Sequence, residues 1–175
     1  MTPKMNSVFI VAGEPSGDIH AAKLISALKA ISPKTKFFGN GGDKMAESGV
    51  EIIHHINDMS VMGFIEVIKH YPRLLNILKD TTSSIKKIKP DKIILVDYPG
   101  FNLRLAKKIK KLKLGIPITY FILPQLWAWK ESRIKIMKKT IDQSISIFPF
   151  ETDWYNSKGL ETFYAGHPFI ENEYG

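Results

Sequence analysis

The fold is decided by the stretch from Val8 to His20, which reads Val-Phe-Ile-Val-Ala-Gly-Glu-Pro-Ser-Gly-Asp-Ile-His. An apolar run ends at Gly13, passes through Glu-Pro-Ser-Gly, and leads into apolar residues with helical spacing, which are Ala21, Leu24, Ile25, Leu28 and Ile31. This pattern predicts a strand, a tight loop and a helix. Ser16 or Asp18 is expected to accept hydrogen bonds from free amides in the first helical turn.

The loop at residues 13–17 is a candidate binding site for an anion. A helix that starts at the carboxyl end of the first strand of an α/β sheet attracts negative charge, and phosphorylated ligands are its usual occupants. Gly13 and Gly17 allow backbone conformations closed to other residues, while Glu14 and Ser16 supply polar side chains. Two glycines are a weak fingerprint, so a plain strand-to-helix turn is the alternative. We take Gly13, Glu14, Ser16 and Gly17 as candidate substrate-binding residues.

Composition narrows the class of protein. The chain has 175 residues, of which 44% are hydrophobic, and this suffices for one well-buried domain. It contains no cysteine, which excludes disulfides, thiolate catalysis and cysteine-ligated zinc and indicates a reducing compartment. The first residues lack the apolar core of a signal peptide, and no apolar stretch reaches the roughly 20 residues that span a bilayer, so we expect a cytoplasmic protein. The net charge of +8 is compatible with nucleic acid, an anionic membrane or acidic substrates and selects none of them.

The next segments alternate between strands and helices. Residues 36–42 predict a short strand that ends in a glycine-rich turn, residues 43–48 a brief helix, and residues 50–53 another strand. His54 and His55 follow this strand. Adjacent histidines on a strand would point to opposite faces, so we interpret them as solvated loop residues and not as a metal-binding pair.

The segment from 59 to 89 departs from this alternation because it is long, helical in pattern and apolar around most of its circumference. A surface helix of a small α/β domain should show one apolar stripe. Deep burial or a partner interface is one explanation, and contact with a membrane or with acyl chains is the other. The candidate membrane or acyl-chain residues are Met62, Phe64, Ile65, Ile68, Leu74, Leu75 and Leu78.

Residues 91–96 form the clearest central strand. Its last four residues, 93–96, are all apolar, which is typical of a strand buried on both faces in a parallel sheet. Asp97 therefore lies at the carboxyl end of the strand, the edge where open α/β sheets bind ligands. A carboxylate there can accept a proton or hold a sugar hydroxyl, and the alternative is a cap of the next turn. A helix is predicted over residues 101–114.

The remaining chain predicts further strands and helices. Strands are expected at residues 116–123, 144–148 and 162–165, and helices at 133–139 and from 149 to near 159. Trp127 and Trp129 occupy a loop, where they cover a cleft or a sugar face, or wedge the loop onto the core. The whole pattern predicts an α/β fold, a Rossmann-like parallel sheet with helices on both faces.

Six ordered motifs closely resemble those of the lipid-A-disaccharide synthase family. They are Ala-Gly-Glu-Pro-Ser-Gly-Asp at 12–18, Met-Gly-Phe-Ile-Glu-Val at 62–67, Asp-Tyr-Pro-Gly-Phe-Asn at 97–102, Pro-Gln-Leu-Trp-Ala-Trp at 124–129, Phe-Pro-Phe-Glu at 148–151 and Gly-His-Pro at 166–168. The resemblance covers all 175 residues and corresponds to the N-terminal half of a two-domain GT-B glycosyltransferase. Leu123 and Lys130 depart from the family, which usually has serine and arginine at these places.

The resemblance implies an inverting transfer of 2,3-diacylglucosamine from UDP-2,3-diacylglucosamine onto 2,3-diacylglucosamine 1-phosphate, which gives lipid A disaccharide 1-phosphate and UDP. Asp97 matches the essential aspartate of the family and is the expected catalytic base, a role that suits a hydroxyl nucleophile. Asn102, Gln125 and Trp127 lie in matching motifs and join the loop residues as candidate substrate-binding residues. Neither a metal nor a cofactor is implied.

The resemblance also implies a domain organisation and a location. Residues 1–166 are expected to form the acceptor-side domain and residues 167–175 the start of an interdomain linker, with the C-terminal domain that carries most of the UDP site missing. We expect peripheral association with the inner membrane from the cytoplasm, through an anionic lipid surface, and no binding of nucleic acid. Without the second domain, this chain alone should not catalyse transfer.

Two other functions stay open at this point. A GT-B enzyme with another acceptor would not need the apolar segment at 59–89, so dependence on acyl chains separates it from the first hypothesis. A non-catalytic lipid- or nucleotide-binding module is the other possibility, because a fold alone does not determine function.

Overall fold

The computed structural model of the chain describes residues 5–59, 64–128 and 131–166, and for residues 64–70 it describes the backbone alone. The strands are β1 (Ser7–Ala12), β2 (Lys36–Gly41), β3 (Val50–His55), β4 (Lys92–Val96), β5 (Ile118–Phe121), β6 (Gln143–Ser146) and β7 (Thr162–Tyr164). The helices are α1 (Pro15–Ile31), α2 (Asp43–Glu47), α3 (Ile56–Met59), α4 (Phe64–Ile88), α5 (Pro99–Lys111), α6 (Ile134–Thr140) and α7 (Pro149–Ser157), with a short 3-10 turn at Glu131–Arg133 before α6.

The seven strands form one parallel sheet in the order β3-β2-β1-β4-β5-β6-β7. β4 is the middle strand, as its uninterrupted apolar sequence predicts. The chain moves outward from β1 to β3 and then returns to place β4 on the other side of β1. This reversal of strand order opens a crevice at the carboxyl ends of β1 and β4, which is where sheets of this kind bind their ligands.

Side chains of the central strands alternate between the two faces of the sheet. Phe9 and Val11 pack on one face with buried residues of α4, α5, α6 and α7. Val8 and Ile10 pack on the other face with residues of α1 and α2. Burying one large aliphatic side chain contributes about 1.5–3 kcal/mol, so both covered faces stabilise the sheet. The prediction of helices on both faces is confirmed.

Asp18 has a different role from the one predicted. It does not cap its own helix; its carboxylate accepts hydrogen bonds from the backbone amides of Gly42 at 2.7 Å, Lys44 at 3.0 Å and Met45 at 3.1 Å. These amides begin α2, so the α1 side chain satisfies donors at the start of a neighbouring helix. The N-cap residue of α1, Glu14, makes no side-chain capping hydrogen bond.

The two adjacent histidines lie inside β3, and the prediction of a loop there is wrong. Both are partly buried, and His55 Nε2 is 3.3 Å from a carboxylate oxygen of Asp43, while His54 Nε2 is 4.0 Å from one of Asp80. The strand is longer than predicted because β2 continues to pair with it up to His55. Among the described residues, no group of three histidine or acidic side chains is placed to hold a metal ion.

α4 contains most of the apolar segment, and it runs through Pro72. Leu78 is 4% exposed and packs in the core, so the prediction that it contacts a membrane or acyl chains is wrong. Leu74 is partly buried against the same core, whereas Leu75 is exposed. Met62 lies outside the described residues, as do the side chains of Phe64, Ile65 and Ile68. No helix in the described ranges combines the length and apolarity needed to cross a bilayer.

Candidate active site

β4 ends in an unusual backbone turn that carries the candidate base. Asp97 and Tyr98 both have positive φ angles, 45° and 47°, although neither is glycine. Such residues cost of order 1–3 kcal/mol each, and they cluster at functional sites. The turn is held by the Asp97 carbonyl, which accepts hydrogen bonds from Tyr120 Oη at 2.6 Å and from Asn102 Nδ2 at 2.8 Å. The geometry therefore fixes the direction of the Asp97 side chain.

The side chain of Asn102 holds this turn in place. Its side chain is completely buried, and Nδ2 donates a second hydrogen bond to the Val96 carbonyl at 3.2 Å. A substrate cannot reach a fully buried amide. The prediction of Asn102 as a substrate-binding residue is therefore corrected to a positioning role at the end of β4.

The first loop and the β4 turn lie side by side. Ala12 pairs with Val96, so the residues that follow them emerge from neighbouring strands about 4.8 Å apart. A Cβ atom on Gly13 would lie 2.1 Å from Tyr98 Cδ1, so only glycine lets the Tyr98 ring pack over the loop. Tyr98 Oη donates to the Met59 carbonyl at 2.8 Å, which secures the ring. The predicted proximity of the loop to Asp97 is confirmed.

The other loop residues differ in exposure. Glu14 and Ser16 are exposed at the start of α1, whereas Gly17 is buried. A Cβ on Gly17 would sit 3.4 Å from the Ala12 Cβ, which shows how closely α1 packs on β1. Glu14 and Ser16 can thus meet a ligand, and Gly13 and Gly17 act through close packing of the backbone.

Burial gives the Asp97 carboxyl an unusual proton affinity. Loss of solvation, followed by the nearby negative charges of Glu14 and Glu151, raises its pKa from 3.8 to about 6, against the opposing effect of the Tyr98 amide. A carboxylate with this pKa is still mostly ionised at pH 7 and is a stronger base than an exposed aspartate. Asp97 can therefore accept a proton under neutral conditions.

Glu151 forms the far side of the site, and the sequence interpretation did not select it. It is 1% exposed at the start of α7 and accepts hydrogen bonds from Ser146 Oγ at 2.9 Å and Trp127 Nε1 at 3.2 Å. The signal was present, since Glu151 follows Pro149 and Phe150 in the first turn of a helix that begins just beyond β6. Its carboxylate anchors the Trp127 loop next to the crevice.

The aromatic side chains around the crevice are fixed by their contacts. Trp127 is half exposed, and its ring centroid is 5.4 Å from that of Phe150 in an edge-to-face contact. Tyr155 Oη donates to the Pro124 carbonyl at the start of the same loop. Burial raises the pKa of Tyr120 and of Tyr155, so both hydroxyls stay protonated and keep donating these hydrogen bonds. Gln125 is exposed beside Trp127, while Trp129 lies outside the described residues.

Curated relatives share extensive sequence with this chain. The lipid-A-disaccharide synthase of Myxococcus xanthus strain DK1622 is 46% identical over 164 residues, which covers 94% of this chain and 42% of the relative. Lipid-A-disaccharide synthase 1 of Legionella pneumophila strain Paris is 44% identical over 169 residues, with 97% and 44% covered. The chain therefore spans less than half the length of these relatives.

Solved structures share the fold at low sequence identity. UDP-GlcNAc 2-epimerase from Neisseria meningitidis, solved with UDP-GlcNAc bound, has a TM-score of 0.66 at 14% identity and is matched over 94% of this chain and 47% of its own. The MnaA co-structure with UDP from S. aureus also has a TM-score of 0.66, at 11% identity, over 93% and 44%. In both cases this chain corresponds to one half of a GT-B-type structure.

The family assignment covers nearly the whole sequence. Residues 8–174 match the model of the family described as lipid-A-disaccharide synthetase, LpxB, and this range includes every element of the sheet except the first residue of β1. On this match and on the identities above, the chain belongs to the lipid-A-disaccharide synthetase family.

Proposed function

We propose that this chain is the acceptor-side half of a lipid-A-disaccharide synthase. The complete enzyme would transfer 2,3-diacylglucosamine from UDP-2,3-diacylglucosamine to 2,3-diacylglucosamine 1-phosphate. The observation that carries the proposal is Asp97, a partly buried carboxylate with a pKa of about 6 at the crevice between β1 and β4 in a member of this family. The remaining length of the relatives would supply the domain that holds most of the UDP donor site.

Asp97 would act as the general base. A primary sugar hydroxyl is a poor nucleophile at neutral pH, so the transfer is assisted by a carboxylate that takes its proton as the oxygen attacks C1 of the donor. The new glycosidic bond forms, the bond from C1 to the UDP oxygen breaks, and the proton moves to the Asp97 carboxylate. A single displacement of this kind inverts the configuration at C1, which accounts for a β-linked disaccharide.

The neighbouring loops would position the two sugars. Glu14 and Ser16 lie exposed at the start of α1, where the helix end favours an anionic or hydroxyl-rich ligand. Gln125 and the half-exposed ring of Trp127 lie on a loop that Glu151 and Tyr155 hold in place. Aromatic rings stack on the apolar face of a sugar, so Trp127 fits a sugar-contacting role.

The N-terminal part of α4 would face the lipid. Tyr71 and Leu75 are exposed on this helix, and the guanidinium of Arg104 on α5 is hydrogen-bonded to Tyr71. Acyl chains on both substrates need an apolar surface, and a basic rim around such a surface favours anionic bilayers. We therefore retain the peripheral membrane role for this segment with Leu75 as its described contact, and without Leu78.

The proposal is tested with a chimera. Residues 8–166 replace the matching part of the 46% identical M. xanthus relative, and disaccharide formation and UDP release are measured with diacylated donor and acceptor. We expect transfer by the chimera and none by the 175-residue chain alone. A folded chimera that binds UDP but forms no disaccharide would favour the non-catalytic binding module. Equal transfer to an acceptor without acyl chains would favour a different GT-B activity.

A further inference from the structure

A pocket of about 130 Å³ lies between α5 and the start of α6, beside the turn that carries Asp97. Its charged lining consists of Arg104, Lys107 and Arg133, and the first residues of α5 complete it. We call it the α5–α6 pocket. Among the described residues no acidic side chain lines it, so it is a concave surface with three positive charges.

The part of the chain that the structure describes leaves these three charges without an acidic partner. Within the described ranges, no ion pair involves Arg104, Lys107 or Arg133. Like charges held at one pocket repel each other, and an anion placed among them removes this repulsion. The composition of the pocket therefore selects an anionic ligand.

The backbone at the start of α5 also favours an anionic ligand. The pocket includes Pro99 and Gly100 in the first turn of α5, a turn that has neither an acidic residue nor a side-chain cap. Free amides and the positive end of the helix dipole point outward there. No atom lies within 4 Å of the position that a Cβ on Gly100 would take, so a ligand can approach the backbone directly.

Arg104 is oriented before any ligand arrives. Its Nη1 donates a hydrogen bond to Tyr71 Oη at 2.7 Å, and its guanidinium carbon is 5.2 Å from the centre of the Tyr71 ring. Tyr71 and Leu75 are 43% and 42% exposed on α4, so a partly apolar surface adjoins the charged pocket. An oriented guanidinium is well suited to bind a phosphate through two parallel hydrogen bonds.

We propose that the α5–α6 pocket binds the phosphate group of an amphipathic lipid, with Arg104, Lys107 and Arg133 as its cationic ligands. The acyl part of that lipid lies against Tyr71 and Leu75. Two sources supply this chemistry, the headgroup of a bilayer phospholipid and the 1-phosphate of an acylated sugar. The inference depends on the proposed function only for the second source.

The first experiment measures sedimentation of the 175-residue chain with phosphatidylcholine vesicles that contain or lack phosphatidylglycerol. Arg104→Gln with Lys107→Gln should weaken binding to the anionic vesicles about tenfold. Gly100→Asp places a carboxylate in the pocket at an open position where a helix start tolerates it, and about a fivefold loss is expected. Lys108→Gln with Lys111→Gln is the matched control for the double variant and Lys111→Gln for Gly100→Asp, because each removes the same amount of positive charge from the other end of α5.

The second experiment separates the two sources. Glucosamine 1-phosphate is titrated into the isotope-labelled chain while the amide resonance of Gly100 is followed. Saturable shifts that disappear in the Arg104→Gln/Lys107→Gln variant assign the pocket to a sugar phosphate, and a loss confined to vesicle binding assigns it to a phospholipid headgroup. If neither variant differs from its charge-matched control in either assay, the inference is overturned. Neither assay uses a donor sugar or turnover, so failure of the chimera would not affect this result.

Discussion

Asp18 and Asp97 are two aspartates at the same edge of the sheet with opposite surroundings. Asp18 accepts hydrogen bonds from three backbone amides, and these amides belong to the start of α2. Asp97 sits in a turn with left-handed backbone angles, near Glu14 and Glu151, and its pKa is raised to about 6. Three amide donors satisfy the Asp18 carboxylate, which therefore joins α1 to α2, whereas the Tyr98 amide does not offset the burial of Asp97, which keeps a high affinity for a proton.

The largest effect is expected when Asp97 loses its basic oxygen. In the active chimera, Asp97→Asn should lower the rate of transfer by about 10²- to 10⁴-fold, since asparagine keeps the shape and cannot accept the proton. Disaccharide formation is measured beside UDP binding, which should persist. Glu161→Gln, an exposed acid just before β7 at the opposite edge, is the control. A loss of less than about threefold would make Asp97 a structural residue and Glu14 the next candidate base.

The second effect is expected at Asp18 and concerns stability. Asp18→Ala should lower the free energy of unfolding of the 175-residue chain by about 3 kcal/mol, because three amides at the start of α2 lose their acceptor. Urea denaturation at pH 7 measures the change, again with Glu161→Gln as the control. A change below about 0.5 kcal/mol would mean that water replaces the carboxylate at little cost, and the contrast with Asp97 would fail.

The third effect is a gain in stability when the charge of Asp97 is removed. The pKa of Asp97 is about 6 in the folded chain and near 3.8 in the unfolded one, so the folded state binds the proton more tightly. The contribution of this group to stability is therefore complete below pH 4 and is lost as the pH rises through 6. Asp97→Asn should raise the free energy of unfolding at pH 8 by about 1–3 kcal/mol. If the unchanged chain and Asp97→Asn had the same free energy of unfolding at both pH values, 8 and 4, the raised pKa would be refuted.

The smallest effect is expected at Glu14. Burial is the main cause of the raised pKa of Asp97, and the charge of Glu14 comes second. Glu14→Gln should therefore move the acid limb of the rate profile of the chimera to slightly lower pH, whatever its effect on the maximum rate. Transfer rates measured between pH 5 and pH 8 give this midpoint. A shift to higher pH would contradict the assigned electrostatics.

The sequence predicts the part of the site that local patterns determine. The apolar run of β4 ending at Asp97 and the glycine loop after β1 have local signatures, and parallel pairing brings both to one edge. The crevice is therefore predictable from spacing. The hydrogen bonds that Asp18 accepts from the start of α2 are not predictable in this way, because their donor amides lie 24 to 27 residues away in sequence.

Side-chain direction is the other property that the sequence did not reveal. The buried position of Asn102 depends on the turn at Asp97 and Tyr98, whose backbone angles bring the Asp97 carbonyl to the Asn102 side chain. Non-glycine residues rarely adopt these angles, so the sequence does not indicate them. Leu78 lies on the buried side of α4, and the sequence did not separate it from Leu75, which is also apolar and lies three residues before it but is exposed. Glu151 was missed because its partners come from β6 and the Trp127 loop.

The position of β1 between β2 and β4 has a consequence for the newly made chain on the ribosome. β1 is synthesised first, yet the amide of Ser7 at its start bonds to the side chain of Asp91, 84 residues later. At typical synthesis rates these 84 residues take roughly 4–17 s, and until then β1 has β2 on one side and an unpaired edge on the other. An apolar unpaired edge invites association with other chains. The strand that leads into the candidate loop is thus open to such association until β4 has been made.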